Sequence, residues 1–295
     1  MKVTALHGDG QREAPSETWT RLLGLELAAP RYHAYPGPDH FIEAFDAQCY
    51  RRWLGRRQLA GAGGLSLYVH LPFCRSGCRH CACDKVVTRS RTRTRDYLEQ
   101  LEHEIAMVAA ELGGGQKVTR MYWGGGTPNY YSAEELARLA ATIGRHFRLS
   151  PAGDHAIEID PRDAEPQLAA SMAAIGFNRL AIGVADLDPD VLRAIRRTQS
   201  GGRTGELIAE ARRAGFRSIG VELTSGLPGQ TAASFVRTLE QVVAMGPTRI
   251  TLHDYRHRPE RHPDQRHIRV EDLPRLAELT LLHARAHECL AAADY

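Results

Sequence analysis

The 295-residue chain has no apolar run near the roughly 20 residues that a membrane-spanning helix needs. It also lacks a strong charge of either sign. Its 38 lysines and arginines face 35 acids, and a net charge of +3 is too small a bias to argue for nucleic acid. No secretory leader is read at its start. The expectation is a cytoplasmic protein with neither a membrane nor a nucleic-acid partner. An apolar fraction of 43% is near the globular norm and fits one large α/β domain with a real core. Cysteine is scarce, six in all, yet Cys74, Cys78, Cys81 and Cys83 fall within ten residues.

These four follow an apolar run, residues 65–71, that reads as a buried strand. Disulfides are disfavoured in a chain expected in a reducing compartment. A structural zinc site could use four thiolates, or three with His80. Zinc sites usually pair two knuckles set well apart, whereas here C-x3-C-x2-C is packed into one loop, which suits a compact cubane better. Three ligands from Cys74, Cys78 and Cys81 would leave one iron open to a small chelating ligand.

From residue 65 onward, short apolar runs alternate with helical stretches, the pattern of parallel strands joined by crossover helices. Strands are expected at 65–71, 119–124, 156–160, 179–184, 218–223 and 249–253. Helices are expected at 95–112, 133–147, 166–175, 189–196 with 204–214, 232–245 and 273–292. Ser132 and Glu135 form a capping box in sequence, and Gly176, Gly215 and Gly246 fall where helices should stop. Upstream, residues 1–30 read as a mobile arm, 31–36 as an aromatic turn beside Pro36, and 39–53 as a short amphipathic helix. A glycine-rich join at 61–64 follows. The expected domains are an arm over 1–60, a core over 61–260, and a basic loop with a final core helix over 261–295.

Six such units can curl into a partial barrel or open into a doubly wound sheet, and either places ligands at the C-terminal ends of the strands. The chemistry-bearing motifs all fall at that edge. Gly124, Gly125 and Gly126 precede Thr127 and Pro128; three glycines exceed what a tight turn needs, so close approach to a polar amino-acid moiety is expected. Glu158 and Asp160 end the third strand, with one expected to face the pocket and the other to point away; the pocket acid could accept ribose hydroxyls. Arg196 and Arg197 are either carboxylate partners or exposed helix-end arginines. Glu222 and the turn 224–230 follow the fifth strand, and Asp254 and Tyr255 end the sixth.

The segments 68–83, 124–128, 157–162, 183–184, 226–228 and 31–36 together resemble the oxygen-independent coproporphyrinogen III dehydrogenases of haem synthesis, which are radical S-adenosylmethionine (SAM) enzymes. The resemblance implies a partial (β/α)6 TIM-like barrel of the radical SAM type. It implies a [4Fe-4S] cluster on Cys74, Cys78 and Cys81, with Cys83 not a ligand. Tyr68, Gly125 and Glu158 would hold the SAM that chelates the fourth iron. A second SAM would lie near His80, Cys81, Ala82, Gly126, Thr127, Arg197 and Glu222. The implied chemistry is hydrogen abstraction by an adenosyl radical, then oxidative decarboxylation of two propionates of an anionic porphyrinogen to vinyl groups. The electron donor would be of the flavodoxin or ferredoxin kind. A radical SAM methyltransferase or cyclopropanase, and a haem-binding or delivery protein on the same core, are the alternatives.

The sequence departs from that family at Ala185, Glu222, Ser225, His253 and Arg256, where the pattern has Gln, Asp, Tyr, Phe and Ala. None touches the cysteines. The chain also stops at Tyr295, where the family continues into a further strand and a helical domain, so a complete core with an incomplete substrate cavity is expected. Four arginines in 89–95, and five with three histidines in 256–269, form basic clusters that read first as solvated loop arginines and second as a rim that would attract a polycarboxylate.

Overall fold

Six parallel strands form one sheet in the order β1-β4-β5-β6-β7-β8. The computed structural model describes residues 42–59 and 63–295, without the side chains of 57–59. The strands are β1 Leu65–Leu71, β4 Gln116–Gly125, β5 Phe147–Ile159, β6 Arg179–Ala185, β7 Ser218–Ser225 and β8 Arg249–Asp254. A two-residue ribbon, β2 Phe73–Cys74 paired with β3 Val86–Val87, lies apart from that sheet and was not expected from sequence. Runs of two residues carry no periodicity by which to find them.

The helices are α1 Ala47–Leu59, α2 Arg91–Glu111, α3 Ala133–His146, α4 Leu168–Ile175, α5 Pro189–Ala194, α6 Gly201–Arg213, α7 Ala232–Met245 and α8 Leu276–Ala292. Each crossover returns the chain to the same end of the sheet, as parallel pairing requires. The result is the expected partial, open (β/α)6 barrel.

The core lies between the sheet and these helices. Leu71, Trp123, Ile157, Ile159, Ile182, Val221 and Leu223 are almost wholly buried, each contributing about 1.5–3 kcal/mol by leaving water. Trp123 meets Phe177 edge-on, with ring centres 4.9 Å apart. Residues between them in sequence, among them Tyr68, Tyr122, Glu158 and Glu222, are less buried and belong to the sheet's other face, the lumen of the half-barrel.

Local signals behave as read. Ser132 and Glu135 make both bonds of the capping box, and Gly176, Gly215 and Gly246 take positive φ at helix ends. Boundaries differ where a cap or a neighbouring strand overrides periodicity. The helix read over 39–53 begins instead at Ala47, because Asp46 Oδ1 accepts the Cys49 N–H at 2.7 Å. Phe45 is therefore exposed outside it, while Leu54 is buried. Strand β5 starts nine residues before the expected 156, because Phe147, Arg148 and Leu149 pair with residues 116–118 of β4 and, after an irregularity, Asp154 lies opposite Arg120. The helix read from 95 starts at Arg91, capped by Ser90. The arm, the turn at 31–36, Phe41 and part of the glycine join lie outside the described residues.

Candidate active site

Backbone pairing seats the cysteine loop on the C-terminal edge of the sheet. Gly126 N–H donates to Leu71 O, Thr127 N–H to Phe73 O, and Val86 N–H to Pro72 O, at 2.8–2.9 Å. The stretch 71–74 is thus held between the glycine turn and β3. Cys74 is buried there, its Sγ 3.3 Å from Thr127 Oγ1, and burial pushes its thiol up to about 11.

Cys78 is buried against two guanidiniums. Arg162 Nη2 lies 3.4 Å and Arg197 Nη1 3.6 Å from its Sγ. Both cations are anchored by Asp160, which Arg162 reaches at 2.6 Å and Arg197 at 3.2 Å. Burial alone would raise the Asp160 carboxyl, but Arg197 and Arg162 outweigh it and hold it below the usual range.

Cys81 sits on a more open limb, where its Sγ accepts the Cys83 N–H at 3.4 Å. Hydrogen bonding from Cys83, then the charge of Lys85, lowers the Cys81 thiol. Lys85 is itself tied to Asp264 at 3.0 Å. His80, between Cys78 and Cys81, is half-buried; its buried Nδ1 has no partner among the described residues, while its carbonyl accepts from Gln265. Ala82 and Cys83 are exposed.

On the lumen side, Tyr68 and Tyr122 stack at 6.0 Å, and Tyr122 Oη donates to Glu158 Oε1 at 2.6 Å. Burial raises Glu158 above its ordinary value, opposed by Tyr122 and the Gly125 N–H and reinforced by Glu222. Glu222 Oε2 lies 3.7 Å from His253 Nε2.

Two readings of the sequence need correction, and a third gains a second cause. Neither Glu158 nor Asp160, the latter one residue past the end of β5, is turned away from the site: Glu158 accepts from Tyr122, and Asp160 binds Arg162 and Arg197 beside Cys78. The glycines of the turn also answer to the protein itself. A Cβ on Gly124 would meet Glu158 at 2.8 Å, one on Gly125 the His70 ring, and one on Gly126 the Pro72 carbonyl. The arginine pair separates, with Arg196 exposed and Arg197 buried on Asp160, Cys78 and Gly183 O. Asp160, Arg162 and Lys85 were missed as site residues. The signal for Arg162 was its place two residues beyond a strand-end acid.

The donor set suits a cluster. Three thiols share one loop, and the two neighbours of Cys74 act on it electrostatically. Two guanidiniums lie against the Cys78 sulfur, Lys85 helps to lower the Cys81 thiol, and a buried imidazole nitrogen is unpartnered. Among the described residues, no three His, Cys, Asp or Glu side chains are already drawn into a metal-ligand arrangement.

The family model of the radical SAM superfamily matches residues 68–242. The chain belongs to that superfamily. A [4Fe-4S] cluster and SAM follow from membership. This radical SAM chain is 39% identical over 272 residues to the oxygen-independent coproporphyrinogen III oxidase of Pseudomonas aeruginosa, covering 92% of this chain and 59% of that protein. With the protein of the same name from Escherichia coli it shares 38% over 247 residues, 84% of this chain and 53% of the other. The solved structure of the Escherichia coli coproporphyrinogen III oxidase, titled a radical SAM enzyme, superposes with a TM-score of 0.85 at 35% identity, covering 90% of this chain and 60% of that one. The resemblance read from the motifs is borne out, and the chain spans between half and two thirds of the length of these relatives. Among the described residues no helix is long and apolar enough to cross a membrane.

Proposed function

We propose that this chain carries the radical SAM core of an oxygen-independent coproporphyrinogen III oxidase, acting in oxidative decarboxylation of porphyrinogen propionates to vinyl groups. The observation that carries the reading is the seating of the C-x3-C-x2-C loop at the strand ends, within a fold superposing at 0.85 on a solved enzyme of that name. Cys74, Cys78 and Cys81 would hold the cluster. When bound, the cluster and SAM supply one-electron reduction and hydrogen abstraction.

The chain's own residues divide the remaining work. Glu158, with Tyr68 and the backbone of Gly125, offers acceptors and a stacking face on the lumen side for one SAM. Arg162 and Arg197 hold positive charge against the Cys78 sulfur and are themselves fixed there by Asp160. Of the residues assigned to a second SAM, Gly126 abuts the Pro72 carbonyl, Thr127 bonds Cys74, and Arg197 is paired with Asp160. His80, Ala82 and Glu222 retain capacity for a ligand. One SAM per chain is the reading these contacts favour.

The test is anaerobic reconstitution with iron and sulfide, then incubation with dithionite, SAM and coproporphyrinogen III. We expect 5′-deoxyadenosine, carbon dioxide and vinyl products by mass spectrometry, and none from Cys78→Ala. S-adenosylhomocysteine in place of 5′-deoxyadenosine would point to group transfer and overturn the decarboxylase reading. Equal yield from Cys78→Ala would falsify the ligand assignment.

A further inference from the structure

Outside the lumen, on the far side of the cysteine loop, lies a cavity of about 560 Å³ walled by Arg75, Arg89, Arg91, Tyr130, Ser132 and Asp163, among others. None of Tyr68, Glu158 or Glu222 lines it. Arg75 and Arg91 each hold their guanidinium 5.6 Å from the centre of the Tyr130 ring, so two of its cations are fixed in place by stacking. The N-terminus of α3 opens onto the same space at Ser132 and Ala133 and adds partial positive charge.

Inside the cavity the charges are nearly matched, and Arg89 is the lining arginine without an ion-pair partner among the described residues. Asp163 lies 3.6 Å from Arg75, Glu135 is bonded to Arg91, and Glu165 shares the wall. Beyond the cavity the positive surface continues. The segment 88–96 carries four arginines against the single acid Asp96. Arg89, Arg93 and Arg95 are exposed, and among the described residues their guanidiniums have no hydrogen-bond or ion-pair partner. The segment also reaches the loop directly, because Thr88 N–H donates to Cys74 O at 3.1 Å and Arg75 follows Cys74 in the chain.

We propose that this arginine face docks an acidic one-electron carrier protein of the flavodoxin or ferredoxin class. The proposal rests on the radical SAM reading, which requires an electron to enter at the cysteine loop. Unpaired cations spread over an exposed face steer a transient protein partner, whereas a small substrate would need them gathered in the lumen. Electron-transfer encounters are small interfaces whose charges set the association rate, and such attraction falls with salt. The unpartnered Arg89, Arg93 and Arg95 then meet the carrier's carboxylates.

Binding and turnover are read separately. Flavodoxin and a [2Fe-2S] ferredoxin, each immobilised, are titrated by surface plasmon resonance with the reconstituted chain, with an Arg89→Glu/Arg93→Glu variant, and with a Lys117→Glu/Arg148→Glu control at the opposite ends of β4 and β5. We expect wild type to bind at least one carrier at low salt and weaken as salt rises. The arginine variant should bind at least tenfold more weakly with an unchanged melting temperature, and the control should differ less than twofold. In dithionite-driven SAM cleavage the arginine variant should match wild type, while flavodoxin-driven cleavage falls at least tenfold. The proposal is overturned if wild type binds neither carrier, if the arginine variant binds as wild type does, or if the control weakens equally. Loss of coproporphyrin III binding with carrier binding intact would also overturn it and assign the face to substrate. Failure of wild type to cleave SAM with dithionite would instead sink the enzymatic reading, and the binding comparison would still decide the docking face.

Discussion

Two sides of the same strand end meet the cysteine loop in different ways. Around Asp160 the chain has closed its electrostatics: one carboxylate, two guanidiniums and the Cys78 sulfur satisfy one another in a nearly dry pocket. Around Glu158, two residues earlier, the carboxyl has a single tyrosine hydroxyl and a backbone N–H, and burial works against its charge. The acids are alike in chemistry and opposite in titration, Asp160 lowered by its cations and Glu158 raised by burial. The contrast teaches that the Asp160 side is structural support for a ligand, and the Glu158 side is left short of partners for something to bind.

The sharpest way to break the contrast is Asp160→Ala, which strands Arg162 and Arg197 without a counter-charge. Removing one partner of a buried pair costs about 3–5 kcal/mol, so we expect a clear drop in the midpoint of denaturant unfolding and weakened cluster retention after reconstitution. Linkage fixes the sign for the wild-type group. Because Asp160 is lowered from 3.8, its stabilising contribution is present above 3.8 and is lost as pH falls through the lowered value. An Ala variant as stable as wild type would show that the clamp is decorative.

Glu158→Gln should behave otherwise. The Gln carbonyl still accepts from Tyr122, so stability should move by no more than about 1 kcal/mol, while SAM affinity measured by equilibrium dialysis should fall about tenfold, the equivalent of about 1.4 kcal/mol. Its pH dependence runs opposite to that of Asp160. A carboxyl raised above 4.5 contributes stability that is present below 4.5 and lost as pH rises through the raised value. The variant should flatten that portion of the stability profile.

Much of this architecture was legible because local and tertiary signals agreed. Six strands, their crossovers, the caps at Ser132 and Gly246 and the placement of Cys74, Cys78 and Cys81 at a strand end all follow from periodicity and turn chemistry. What could not be read was pairing across long sequence separations. The Pro- and Gly-interrupted start of β5 is strand because β4 lies beside it, and Arg197 parts from Arg196 because Asp160, 37 residues away, takes it. The glycine turn has a second role that is hidden for the same reason. Its missing side chains leave room for His70, Pro72 and Glu158, which no local window contains.

A finer comparison isolates the lumen's own field. Glu222 is the like charge that reinforces the raised Glu158 carboxyl, and it stands where the resembled family has the shorter Asp. Glu222→Gln removes that repulsion without touching the Tyr122 hydrogen bond, so Glu158 should titrate at a lower pH, closer to 4.5, when followed by carboxyl carbon-13 NMR. The shift should be smaller than the one burial imposes, since burial is the leading cause and is unchanged by the substitution. No movement of the Glu158 titration would mean that the lumen is wet enough to screen two carboxylates from each other, and the partner-poor side of the site would then owe its character to burial alone.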